Sequence, residues 1–124
     1  MYLLDTNVLI LGIKAQNPDK SFLEKVISRK QLSLSVITVS EFLAQALQAE
    51  EKKINKLILR FPILPVDLEI AELAAHYRKK FLKTRRVQLL DYFLAAQAKI
   101  NHLTLVTNNK ADFPMKDIKI ISPS

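Results

Sequence analysis

The sequence predicts an α/β domain with a mainly parallel sheet. Three observations carry this. Short strand-like runs occur at Tyr2–Leu4, Leu32–Ile37 and Leu103–Thr107. The first is apolar without polar alternation, which suits a strand buried on both faces. Between them lie segments of helical length with apolar residues at helical spacing, and strands alternating with helices imply parallel pairing. The chain has 124 residues, of which 49% are apolar and 25% charged, so it makes one domain, residues 1–124, with a real core.

The first strand is predicted to end at Asp5, because burying an ionised carboxylate inside it would be costly. The carboxylate then emerges at the strand tip, where open parallel sheets bind ligands. Asp5 is thus the first candidate for chemistry, and equally a candidate cap for a following short helix. Residues 11–17 read as a loop. A helix from Asp19 to about Lys30 follows, with Phe22, Leu23, Val26 and Ile27 on one face. After the second strand, Thr38-Val39-Ser40-Glu41 has the form of a capping box opening a helix to about Glu50. On that reading Glu41 bonds back to the backbone of Thr38. The next helix runs from about Glu51 to Arg60, with Ile54, Leu57 and Ile58 inward and Lys52, Lys53 and Lys56 outward.

Phe61-Pro62-Ile63-Leu64-Pro65-Val66 is extended, and its prolines favour a sheet edge. Asp67 caps a long helix to about Lys83 with a buried stripe of Ile70, Leu73, Ala74, Tyr77 and Phe81. Lys79, Lys80, Lys83, Arg85 and Arg86 form the densest basic cluster, either a solvated helix end or a rim for phosphates. An alanine-rich helix spans Leu90 to Ile100 with Asp91 in its first turn, and Asn101 is expected in the left-handed position after it. A polar loop from Thr107 to Pro114 follows the next strand, and Lys119-Ile120-Ile121 makes a last short one.

The formal net charge is +7, from 19 Lys+Arg against 12 Asp+Glu, which favours a polyanionic partner such as nucleic acid. The chain has no cysteine, which excludes disulfides and thiolate metal sites and makes a reducing cytoplasm the natural setting. The two histidines, His76 and His102, are too far apart in sequence to suggest a ligand pair and read as surface residues. No apolar stretch approaches the roughly 20 residues that span a bilayer, and the N-terminus lacks the basic region of a signal peptide.

Four acids stand apart. Asp5, Glu41 and Asp112 follow strands, and Asp91 opens the helix before the strand that Asp112 follows. The other eight, Asp19 among them, read as helix starts or solvated faces. Carboxylates gathered at one sheet edge repel, by about 3 kcal/mol per pair at about 5 Å and an effective dielectric near 20. A hard divalent ion such as Mg²⁺ or Mn²⁺ relieves this. Acid clusters with such ions activate water against phosphodiesters, and the basic surface would hold further phosphates.

In the order Asp5-Thr6-Asn7, Ser40-Glu41, Asp91 before Ala95-Ala96, and Leu105-Val106-Thr107-Asn108-Asn109…Asp112-Phe113, these motifs resemble those of PIN domains. More narrowly, they resemble VapC-type toxins of bacterial toxin–antitoxin pairs. The resemblance implies a three-layer α/β/α fold and a Mg²⁺- or Mn²⁺-dependent endoribonuclease. It implies that Asp5, Glu41 and Asp91 bind metal, that Asp112 is the fourth acid, and that Asn7, Thr107 and Asn109 support the site by hydrogen bonds. It also implies a homodimer and a cognate antitoxin that wraps the toxin and blocks the site. Two departures stand out: Leu90 and Tyr92 flank Asp91 where the family often has proline and a small residue, and Asn109 stands where an acid is frequent. They motivate an alternative, a non-catalytic nucleic-acid-binding module of the same fold. A phospho-acceptor domain of receiver type is disfavoured, because no second acid adjoins Asp5 and no lysine tips a late strand.

Overall fold

A computed structural model describes residues 1–81 and 88–124. Its elements are β1 (Tyr2–Leu4), α1 (Thr6–Ile13), α2 (Asp19–Ser28), β2 (Leu32–Ser35), α3 (Val36–Gln45), α4 (Gln48–Arg60), β3 (Ile63–Leu64), α5 (Leu68–Phe81), α6 (Leu89–Ile100), β4 (Thr104–Val106), a 3₁₀ turn (Lys110–Asp112) and β5 (Ile120–Ile121). The five strands form one sheet in the order β3-β2-β1-β4-β5. Every pairing is parallel; Tyr2 pairs with both Leu32 and Thr104. Parallel pairing puts every strand's carboxyl end on one edge, and β1 lies at the centre of that edge.

Successive strand residues point to opposite faces, and the core divides accordingly. Leu4, Leu34 and Val106 join Val8, Leu9, Phe22, Leu23, Val26, Phe42, Ile54 and Leu57 from α1 to α4. Leu3 and Leu105 join Ile70, Ala74, Tyr77, Tyr92 and the alanines of α6 on the other face. The fold is thus three-layered, α/β/α. Ala95, Ala96 and Ala98 are fully buried or nearly so, and their small side chains let α6 lie close on the sheet and on α5. No helix among the described residues is long and apolar enough to cross a membrane.

Several expected boundaries differ. The first helix runs on to Ile13, into the segment read as a loop from residue 11. The second strand ends at Ser35, not Ile37, and Ser35 caps α3 by accepting the Ile37 N–H at 3.1 Å. Thr38 therefore lies inside the helix, with its hydroxyl toward the Leu4 carbonyl at 3.4 Å. The third helix stops at Gln45 because a new one is nucleated early: Glu50 accepts the N–H of Leu47 at 2.9 Å and starts α4 there. The left-handed residue after α6 is His102, with φ 55. Asn101 stays right-handed and its side-chain amide donates to the Gln97 carbonyl at 2.9 Å. The proline-flanked β3 lies at the sheet edge as expected. Asp67 accepts the Ile70 N–H at 3.0 Å and caps α5. The end of the long helix at Lys83 lies outside the described residues.

Candidate active site

The Asp5 backbone continues the sheet, its N–H donating to the Val106 carbonyl at 2.9 Å. Its side chain then turns up as the cap of α1, Oδ1 accepting the Thr6 N–H at 2.8 Å. The cap and the chemical candidate are one residue, since a carboxylate has a second oxygen. Oδ2 accepts the hydroxyl of Thr107, at the tip of β4, at 2.9 Å. The Thr107 oxygen in turn accepts the Asn109 N–H at 3.0 Å.

Glu41 projects from the second turn of α3. It does not bond back to Thr38; its Oε1 accepts the Thr6 hydroxyl at 2.5 Å. Thr6 thus links the first motif to the second across 35 residues of sequence. Asp112 ends the 3₁₀ turn, and its Oδ2 accepts the Asn109 side-chain amide at 2.7 Å. Asp91 is the third residue of α6, where its carboxylate faces the N–H of Gln88 at the helix start.

The electrostatics show that the four acids converge. Asp91 is pushed up from an ordinary 3.8 to about 6, first by burial and then by the charges of Asp5, Asp112 and Glu41, against a small lowering by the Gln88 N–H. Asp5 is also raised, chiefly by burial, and further by Glu41 and Asp112; the Thr107 and Thr6 donors oppose this. As the side chains stand, no three acid or histidine groups among the described residues form a ready ion cage. Glu41 and Asp112 are instead turned onto the neutral donors Thr6 and Asn109. The donor chemistry is nonetheless all oxygen and all carboxylate, in mutual repulsion, which suits a hard divalent cation.

Of the expected supporting residues, Thr107 and Asn109 are in place. Asn7 is exposed in the first turn of α1, and its side chain makes no hydrogen bond among the described residues. Tyr92 does not stand over the acids; it is 0% exposed and packs in the core beside α5. Thr6 was legible as part of a motif but not as the partner of Glu41. The basic cluster is described only at Lys79 and Lys80, both exposed on the last turn of α5; Lys83, Arg85 and Arg86 lie outside the described residues.

Fold and site define a three-layer α/β/α protein with a carboxylate cluster at the carboxyl edge of a parallel sheet. The family model of the PIN domain matches residues 2–119, and the chain belongs to that family. It is similar to Ribonuclease VapC10 of Mycobacterium tuberculosis, 28% identical over 116 residues that cover 93% of this chain and 87% of that protein. It is similar to Toxin FitB of Neisseria gonorrhoeae, 32% identical and covering 99% of this chain and 98% of that one. A solved toxin–antitoxin complex from Klebsiella pneumoniae contains a chain that matches it with a TM-score of 0.80 and 26% identity, covering 100% of this chain and 98% of the other.

Proposed function

We propose that the protein is a Mg²⁺- or Mn²⁺-dependent endoribonuclease that hydrolyses RNA phosphodiester bonds as the toxin of a toxin–antitoxin pair. The observation that carries this is the convergence of Asp5, Glu41, Asp91 and Asp112, whose charges add to the effect of burial in pushing Asp91 up to about 6. The PIN membership and the names of the ribonuclease and toxin relatives support it. Asp5, Glu41 and Asp91 would hold the ion, with Asp112 as the fourth acid. A bound divalent ion supplies positive charge for the developing phosphorane and a means of ionising water.

The chain's own residues orient these acids. Thr6 holds Glu41 and Asn109 holds Asp112, each on one carboxylate oxygen, and Asp5 is held on both oxygens, by the Thr107 hydroxyl and the Thr6 N–H. Such supporting bonds fix ligand direction and commonly matter about 10- to 100-fold in affinity or activity. Exposed cations, Lys79 and Lys80 among them, suit the phosphates flanking the scissile bond. The partners on this reading are RNA, a cognate antitoxin protein and a second copy of the chain in a homodimer, and the setting is the cytoplasm. The non-catalytic alternative loses one of its two motives, since Tyr92 is buried in the core; the other, asparagine at position 109, stands.

The test is incubation of total RNA with the purified protein in Mg²⁺, in Mn²⁺ and in EDTA, beside Asp5→Asn. The expected result is discrete fragments that require both metal and Asp5. Cleavage by Asp5→Asn at the wild-type rate, or RNA binding without turnover in either metal, overturns the reading.

A further inference from the structure

The three residues after β4 each commit a side chain to a different carboxylate. Thr107 donates to Asp5 and Asn109 to Asp112. Asn108, between them, donates its side-chain amide to Oδ2 of Asp19 at 2.7 Å. The chain bends at Asn108, so the loop is tied to the acid cluster through Thr107 and Asn109 and to α2 through Asn108.

Asp19 is not a solvated helix start. It is 3% exposed, in the first turn of α2. A buried carboxylate requires donors; Asn108 supplies one, and the positive end of α2 favours the charge. Its position depends on how closely α1 approaches α2. At Gly12, the chain's only glycine, an added Cβ would lie 3.3 Å from the Asp19 carbonyl oxygen and 3.1 Å from the Leu23 Cβ. Asp19 is therefore tied to the helix that Asp5 caps, and through Asn108 to the loop that holds Asp5 and Asp112.

We propose that Asp19 is a positioning residue of the acid site, anchoring through Asn108 the loop whose flanking residues orient Asp5 and Asp112. This rests on the nuclease reading for its consequence but not for its structural test. The anchor joins the exposed Asn108 to a buried acceptor, Asp19, and a buried acceptor left without its donor is costly. Removing it frees Thr107 and Asn109 to drift from the acids they orient, while every acid remains present.

The experiment compares wild type, Asn108→Ala, Asp19→Asn and Asp19→Ala. Hydrogen exchange is measured on the metal-free proteins, and RNA cleavage is measured against Mn²⁺ concentration. In Asn108→Ala, faster exchange is expected in residues 107–113 and not elsewhere, with about 10-fold more Mn²⁺ needed for half-maximal rate. Asp19→Asn keeps an oxygen that accepts from Asn108 and is expected to behave as wild type, whereas Asp19→Ala behaves as Asn108→Ala. Should Asp19→Ala fail to fold, Asn108→Ala and Asp19→Asn still decide the matter. Unchanged exchange over 107–113 in Asn108→Ala overturns the proposal, as does Asp19→Asn matching the alanine variants. If wild type does not cleave RNA, the nuclease reading falls and the exchange data alone settle the anchor.

Discussion

Replacing Asp91 with asparagine should stabilise the protein at neutral pH and cripple its site. The asparagine side chain has nearly the same volume and keeps an oxygen facing the Gln88 N–H, so the change removes little but charge. In the folded protein the Asp91 carboxyl sits at about 6 against an ordinary 3.8. A difference of about 2 pH units corresponds to about 3 kcal/mol of penalty on the charged form. Asp91 is only half-buried, and solvent screening reduces this to about 1–2 kcal/mol. The folded state is the one with the higher affinity for the proton. Its stability is therefore undiminished below pH 3.8, falls as the pH rises toward 6, and stays reduced above it. The variant escapes that loss. Its thermal midpoint in EDTA should exceed wild type by about 4–8 °C at pH 7.5 for a chain of this size, with most of the advantage gone at pH 4. Circular-dichroism melts at the two pH values measure this directly. Added Mn²⁺ should then raise the wild-type midpoint more than the variant's. A variant less stable than wild type at pH 7.5, or equally advantaged at both pH values, would refute the electrostatic account of the cluster.

Other substitutions test separate links. Thr6→Val keeps the backbone N–H that Asp5 caps but removes the hydroxyl on Glu41; half-maximal activity should need about 10-fold more metal, with global stability changed by no more than about 1 kcal/mol in urea titrations. Tyr92→Phe removes a buried hydroxyl that has no hydrogen-bond partner among the described residues, so stability should be unchanged or higher by up to about 1 kcal/mol, and a large loss would reveal a partner. Gly12→Ala gains about 1 kcal/mol of helix propensity, yet its Cβ would meet the Leu23 Cδ2 at 2.9 Å. Overpacking of about 1–3 kcal/mol should outweigh the gain, and a lower melting temperature with faster exchange at the start of α2 checks it.

What the sequence determined by itself was local. The apolar runs marked the strands, helical spacing marked the helices, the prolines marked the edge strand and Asp67 marked its cap, because each rests on neighbours within one turn or one pleat. The four candidate acids were legible as well, Asp5 because it ends a buried run and Glu41, Asp91 and Asp112 from their order in motifs that resemble those of PIN domains. Where two local patterns competed, packing chose. Ser35 and Thr38 can each cap a helix, and β2 had to end at Ser35 to pair with β1 and β3, so Thr38 was drawn inside. Glu41, offered a backbone partner nearby, took Thr6 instead, a residue brought to it only by the sheet. Tyr92, suspect as a neighbour of Asp91, is carried into the core, since adjacent helical residues point about 100° apart. Asp19 looked like an ordinary helix start, and only the close approach of α1 at Gly12 and the path of the loop after β4 bury it against Asn108. Such contacts lie tens of residues apart in sequence, and no pattern of spacing encodes which of several polar side chains will meet once the layers close.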